Sequence, residues 1–270
     1  MNTVKKTTLN RILFGIMILC LSGAVTILGI PAVRQIQKKI EDNKQIAAFN
    51  DKYGGDQYQT PDDTDTVGAT DSVDSDVFAN LTHIDPPVEA EGTTVLDHLW
   101  ADAKAYNTKL YEDGITGTVR DYKGTQVLDF DLTDYGFEDQ MFGYIDIPAI
   151  NLRMCLYTYT SRETLFAGAC RLSNTSIPIG GINTNAVIAG HSGYSDPMFT
   201  YIGKLEEGDR VYITNPWGTM TYVVTGKAKV LPTDMDSIGI QEGKDMITLV
   251  TCTPVHVNTH RQLVYCEREE

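Results

Sequence analysis

Positive charge is the first shortage in this chain. Against 36 aspartates and glutamates it carries 22 lysines and arginines, a formal net charge of -14 over 270 residues. No stretch gathers enough lysine and arginine to neutralise a run of phosphates, which argues against nucleic acid as a partner. Cysteine is sparse as well. Cys20, Cys155, Cys170, Cys252 and Cys266 form no C-x-x-C pair and no Cys/His ligand spacing, so neither a structural metal nor any other cofactor is expected. Asp62-Asp63-Thr64-Asp65 lacks the glycine and terminal glutamate of a calcium loop. No Gly-x-Ser-x-Gly elbow surrounds Ser192, which removes a serine hydrolase of that type. Finally, between Ile12 and Val33 charge is absent altogether.

That uncharged run organises the first part of the chain. At 1.5 Å per residue it can cross a hydrocarbon core of roughly 30 Å. Residues 1–11, with Lys5, Lys6 and Arg11, form a basic segment before it. Apolar residues continue past Ser22-Gly23-Ala24, so 12–33 reads as an uncleaved anchor, not a signal peptide. Residues 34–92 read as a membrane-proximal helix, Ala32 to Phe49, and then an acidic spacer. From Asp51 to Gly92 the spacer is rich in Asp, Thr, Gly, Ser and Pro and too poor in large apolar residues to bury a core.

Residues 93–141 open with a second helix, Val95 to Tyr111, whose Leu96, Leu99, Trp100, Ala103, Tyr106 and Leu110 trace one face. Thr94 and Asp97 are placed as a capping box, and Trp100 is expected to pack. From 142 to 270 short strands follow closely: Gly143–Ile147, Met154–Tyr159, Ala186–Ala189, Arg210–Asn215, Met220–Val230, Met246–Thr251 and Gln262–Tyr265. Leu165 to Leu172 is read as a short helix. This is a mostly β domain, a small barrel or sandwich.

Two of these strands end on reactive groups. Met246–Thr251 leads into Cys252, and the Thr253-Pro254 pair then forces the chain out of regular structure. Arg261 follows, at the entrance to the next strand. A fixed cation near a thiol favours the thiolate, the nucleophilic form. Ala186–Ala189 leads into Gly190-His191-Ser192-Gly193, where the glycines permit a tight turn and close approach. A small barrel brings such strand ends together. His256 and His260, four apart, are read as loop residues because Pro254 opposes a helix there, with His256 near the substrate. His83 and His98 are read as surface groups. Cys155, Cys170 and Cys266 are open to pairing in an oxidising compartment, with no connectivity legible.

The run Thr248-Leu249-Val250-Thr251-Cys252, with Arg261 after it and His191 before it, resembles the signature of the sortases, cysteine transpeptidases of the Gram-positive cell surface. Gly143-Tyr144-Ile145-Asp146-Ile147-Pro148, Asn174-Thr175-Ser176-Ile177-Pro178-Ile179-Gly180-Gly181 and Val257-Asn258-Thr259-His260-Arg261 are most similar to the pilus-assembling class C branch. The resemblance runs from about Trp100 to Glu267. It implies a sortase barrel of about eight strands and a catalytic domain outside the cell on a single-pass anchor. It further implies Cys252, His191 and Arg261 as catalytic residues, with Thr251, Ala189, Ser192 and His256 contacting substrate. The loop Leu231 to Asp245 is expected to shape the peptide groove. The implied substrates are a Leu-Pro-x-Thr-Gly-like sorting signal, cut between Thr and Gly, and an amine acceptor. That acceptor is a pilin lysine or, alternatively, the cell-wall precursor.

Two features depart from the branch. The Asp-Pro-aromatic lid is missing from Gly114 to Tyr135; Asp85-Pro86-Pro87 lies before the helix and lacks the aromatic. The second apolar anchor usual at the C-terminus is also absent from the sequence as it stands. Apart from the resemblance, the residues leave open a different cysteine hydrolase or transpeptidase, or a non-catalytic membrane-tethered β module.

Overall fold

The computed structural model describes residues 14, 17, 33–54, 94–113, 130–137, 140–194, 198–234 and 236–269. The predicted anchor (apart from positions 14, 17 and 33), the acidic spacer beyond Gly54 and the stretch 114–129 lie outside the described residues; Asp51, Lys52 and Tyr53, read as the start of the spacer, instead continue the first helix. Among the described residues no helix is long and apolar enough to cross a membrane.

Eight strands close into one barrel: β1 (Met141–Ile147), β2 (Leu152–Tyr157), β3 (Ala169–Arg171), β4 (Thr184–Ala189), β5 (Arg210–Asn215), β6 (Gly218–Val230), β7 (Asp245–Thr253) and β8 (His260–Arg268). Their order around the wall is β1-β2-β3-β4-β7-β8-β6-β5. The β2–β3 and β4–β7 pairs are parallel and the others antiparallel. The mostly β, closed-barrel expectation therefore holds.

The central strands are apolar on both faces, which is why they read as continuous runs and not as alternation. Ile247 and Leu249 of β7 and Ala186 and Ile188 of β4 point inward, against Phe199, Val211 and Val264. Their neighbours Val250, Val187 and Ala189 face outward into a second cluster with Leu263 and Ile238. That outer face needs cover, and three helices supply part of it.

Helix α1 (residues 33–53) places Ile46 and Phe49 in the outer cluster. Its Lys38 Nζ donates to the Ala167 carbonyl at 2.6 Å, and Gln45 Oε1 accepts from the Cys155 thiol at 3.3 Å. Helix α2 (Val95–Asp113) buries Leu99 and Ala103 against Phe142 and Ile177. Its start carries the expected reciprocal bonds: Thr94 N–H donates to Asp97 at 2.7 Å, and Asp97 N–H to Thr94 Oγ1 at 3.2 Å. Trp100 packs edge-on to Trp217 at 4.9 Å, as expected.

Helix α3 corrects one expectation. It spans Arg162–Ala167, begun by a Ser161/Thr164 capping box, and residues 169–171 are strand β3, not helix. Gly168 is the reason. A Cβ there would lie 2.4 Å from the Cys155 carbonyl, so only glycine lets the chain leave the helix and pair at once with β2. Several strands also run longer than their apolar cores; β7 continues through Cys252 to Thr253, and β8 extends from His260 to Arg268. The four described cysteines, Cys155, Cys170, Cys252 and Cys266, are all free thiols.

Candidate active site

Register places the three predicted groups. On β7 and β8, Cys252 sits directly opposite Arg261. On β4 and β7, Ala189 pairs with Val250, and Gly190 N–H continues the ladder to the Val250 carbonyl at 3.1 Å. Strand β4 ends at Ala189, and His191 follows two residues beyond it, past a Gly190 still bonded to the strand that carries Cys252. Side chains alternate along a strand, so Val187 and Ala189 share a face, as do Val250 and Cys252, and Arg261 and Leu263. The apolar members of that set belong to the outward cluster. The thiol and guanidinium thus occupy the outer face of the barrel at one rim, and the segment carrying His191 leaves β4 at the same end.

Two hydroxyls tie these strand ends together. Ser192 Oγ donates to the Cys252 carbonyl at 2.7 Å, and Thr251 Oγ1 donates to the Gly190 carbonyl at 2.7 Å. Each side chain reaches the opposite strand's backbone next to a reactive residue. Both hydroxyls are therefore engaged in holding the frame, a role the substrate-contact expectation did not include. Ala189 is buried in the outer cluster, at the floor of the face leading to the rim.

The glycines around His191 have distinct reasons. At Gly190 a Cβ would meet the Phe199 ring at 2.5 to 2.9 Å; at Gly193, with φ +77°, it would meet Val255 and His256 at 2.6 and 3.0 Å. Strand end and β7–β8 loop thus approach as closely as backbone allows. That loop turns through Val257 and Asn258 N–H donating to the Pro254 carbonyl, at 3.0 and 2.9 Å. It also carries Arg261 Nη1 hydrogen bonds to the Asn258 and His260 carbonyls, at 3.3 and 3.1 Å, so the guanidinium is aimed by its own hairpin. His256 is exposed beside Gly193, and His260 is exposed at the first position of β8. Among the described residues no group of His, Cys, Asp and Glu is arranged to hold a metal ion.

Electrostatics overturn one detail. Burial pushes the Cys252 thiol up, and the opposing pull of Arg261 does not compensate. The resting group is a thiol and not the thiolate that Arg261 alone would favour, because desolvation penalises the charged form. Burial also lowers His191 below its ordinary value. At neutral pH both partners are held uncharged.

Sequence reasoning missed the ring cluster on His191. Phe166 of α3 lies 5.0 Å from the imidazole and Tyr194 4.6 Å, with the two aromatic rings edge-on at 5.4 Å. Nothing in the spacing of Phe166 linked it to a residue 25 positions on; the β2–β3 crossover makes that link. It also missed Ile238 in the β6–β7 loop, whose side chain packs on the outer cluster and whose carbonyl accepts from Asn185 Nδ2 at 3.0 Å.

A closed eight-stranded barrel with a thiol and a guanidinium paired across adjacent strands at one rim defines a cysteine-centred β-barrel. The comparisons name its kind. A family profile described as the sortase domain matches residues 145–269. Sortase A of Bacillus anthracis is 31% identical over 126 residues, 46% of this chain and 58% of that protein. Sortase C-1 of Streptococcus pneumoniae superposes with TM-score 0.63 at 28% identity, over 84% of this chain and 98% of that one. The Group B Streptococcus Pilus Island 1 Sortase C2 superposes with TM-score 0.58 at 32% identity, over 65% and 98%. The chain belongs to the sortase family. It spans little more than half the length of the curated relatives it matches.

Proposed function

We propose that this chain is a sortase transpeptidase that joins a sorting-signal peptide to an amine, with a pilin lysine as the preferred acceptor. The observation that carries this is the pairing of Cys252 with Arg261 on adjacent strands, with Ser192, next to His191, bonded to the Cys252 carbonyl.

Each group has work suited to its chemistry. Cys252 gives its thiol proton to His191 as its Sγ attacks the Thr carbonyl of a Leu-Pro-x-Thr-Gly-like signal. A carbon–sulfur bond forms, and negative charge moves onto the carbonyl oxygen. Arg261, held by its hairpin carbonyls, donates to that oxygen as charge develops, in a face partly shielded from water. The carbon–nitrogen bond then breaks, and the thiol's proton, held by His191, leaves on the Gly amine. The acceptor amine attacks the thioester, gives its proton to His191 and releases the Cys252 sulfur. Capture by the amine ahead of water makes the outcome transfer instead of hydrolysis.

Support for a pilin lysine comes from the pilus-island sortase C neighbour and the class C wording of the sequence. The second reading, attachment to the cell-wall precursor, is favoured by the curated relatives named Sortase A. The protein works outside the cell on a single-pass membrane anchor formed by residues 12–33. Mass spectrometry of products from the purified protein, candidate sorting peptides and competing lysine-bearing and wall-precursor amines separates the two. Cleavage between Thr and Gly with a thioester on Cys252, lost in Cys252→Ala, is the expected result. Wild-type protein that leaves every peptide intact would defeat the proposal and favour a non-catalytic module.

A further inference from the structure

Phe166 and Tyr194 are 45% and 50% exposed, although nothing about core packing requires large rings at a rim. What they cover is one edge of the imidazole: the three rings lie within 4.6 to 5.4 Å of each other. The placement of Phe166 is over-determined. Leu165, its neighbour, is buried in the outer cluster and sets the rotation of α3. The Ser161/Thr164 capping box sets where the helix starts. Lys38 Nζ, itself paired with Asp42 at 2.9 Å, reaches across from α1 to the carbonyl of Ala167, the residue after Phe166. The helix that follows the predicted anchor is thus hydrogen-bonded one residue away from a ring that touches the proposed proton-transfer group.

We propose that Phe166 is a positioning residue for His191, and that α1, through Lys38, braces α3 so that this ring stays against the imidazole. The proposal rests on the sortase reading of His191. Its consequences are two. The ring fixes the imidazole's orientation toward Cys252, and it keeps water off an edge of His191, which contributes to the burial that depresses the imidazole's titration. Charged and titratable groups on the elements at this rim include Cys252 on β7, His260 and Arg261 on β8 and His256 in their connecting loop. Tyr194 lies on its own segment, Arg162 and Glu163 on α3, and Lys38 and Asp42 on α1. None of these is altered by replacing Phe166, so a change in His191 titration on that replacement reports the ring.

The test uses the full-length chain with ring-labelled histidine, its His191 resonance assigned by loss in His191→Gln, alongside peptide-cleavage profiles against pH. In Phe166→Ala, His191 titrates higher than in wild type. The acid limb of kcat/KM moves up with it, and the plateau falls about two- to tenfold, the range one aromatic contact is worth. Phe166→Leu, which restores apolar cover, returns the titration toward wild type and serves if the alanine variant folds poorly. Lys38→Ala, which touches neither proposed reacting group, shifts the titration the same way by less. A Phe166→Ala protein with reduced cleavage but unmoved His191 titration overturns the proposal and makes Phe166 a substrate contact. An unmoved titration in Lys38→Ala, with Phe166→Ala shifted, overturns the brace. Because the titration needs no turnover, it remains readable even if the wild type cleaves no peptide, which would instead sink the sortase reading.

Discussion

The crossed hydroxyl bonds at the rim support a specific expectation. Ser192→Ala removes the 2.7 Å bond to the Cys252 carbonyl, and Thr251→Val removes the 2.7 Å bond to the Gly190 carbonyl. Valine keeps the β-branched shape, so little but the hydroxyl is lost. A hydrogen bond of this kind contributes about 0.5–1.5 kcal/mol net, and each single variant should lose about 1 kcal/mol in urea denaturation. The larger effect is on rate. Gly190 and Thr251 immediately precede His191 and Cys252, so loosening either tie lets the two groups drift, and a misplacement of about 1 Å can cost about a hundredfold in rate. A partial drift predicts a kcat about tenfold lower, with KM little changed, in a sorting-peptide cleavage assay. The double variant should fall short of additive, because both bonds secure the same two strand ends. A Thr251→Val protein that loses the stability but keeps kcat within about twofold of wild type would refute the reasoning, since the tie would then support the fold without aligning the site.

Other expectations follow from the same geometry. Gly190→Ala sets a Cβ 2.5 Å from the buried Phe199 ring; overpacking of this kind costs about 1–3 kcal/mol and should lower both the denaturation midpoint and kcat. Burial depresses His191 and raises Cys252, so kcat/KM against pH should show a wide plateau. Its acid limb should fall below the ordinary histidine range and its basic limb above the ordinary thiol range, with iodoacetamide alkylation of free Cys252 accelerating only on that basic limb. A narrow bell centred near neutrality would contradict it. Burial pushes Asp146 up to about 6, against the pull of Arg153 at 3.6 Å. Because the folded state then holds this proton more tightly than the unfolded chain, its contribution is fully present below the unfolded value and lost as pH rises from about 4 through 6. Asp146→Asn should flatten that decline in urea denaturation measured across this range.

The candidate reactive residues stood out in the sequence because their local chemistry is written in short runs. An apolar strand closing on Thr251-Cys252, a turn forced by Pro254, and a glycine-flanked His191 each declare themselves within a few positions. The strands of β4 and β7 were legible for the related reason that burial on both faces leaves unbroken apolar runs. Strand β3 was not: three residues carry too little pattern to separate from the helix before them, and the distinction rests on how closely Gly168 approaches the Cys155 carbonyl.

By itself the sequence determined which groups can do chemistry and that each sits at a strand end, because proline, glycine and side-chain type act over a few bonds. Tertiary structure alone decided that Cys252 and Arg261 face each other on adjacent strands and that the segment of His191 is tied to the Cys252 backbone, because that follows from the β7–β8 register and the Ser192 hydroxyl bond. It also decided that the thiol rests protonated, since desolvation depends on everything packed around Cys252 and outweighs the single nearby cation that the sequence could show. The same holds for the contacts behind the proposed brace: Lys38 reaches the Ala167 carbonyl and Phe166 lies against His191, pairs far apart in the chain.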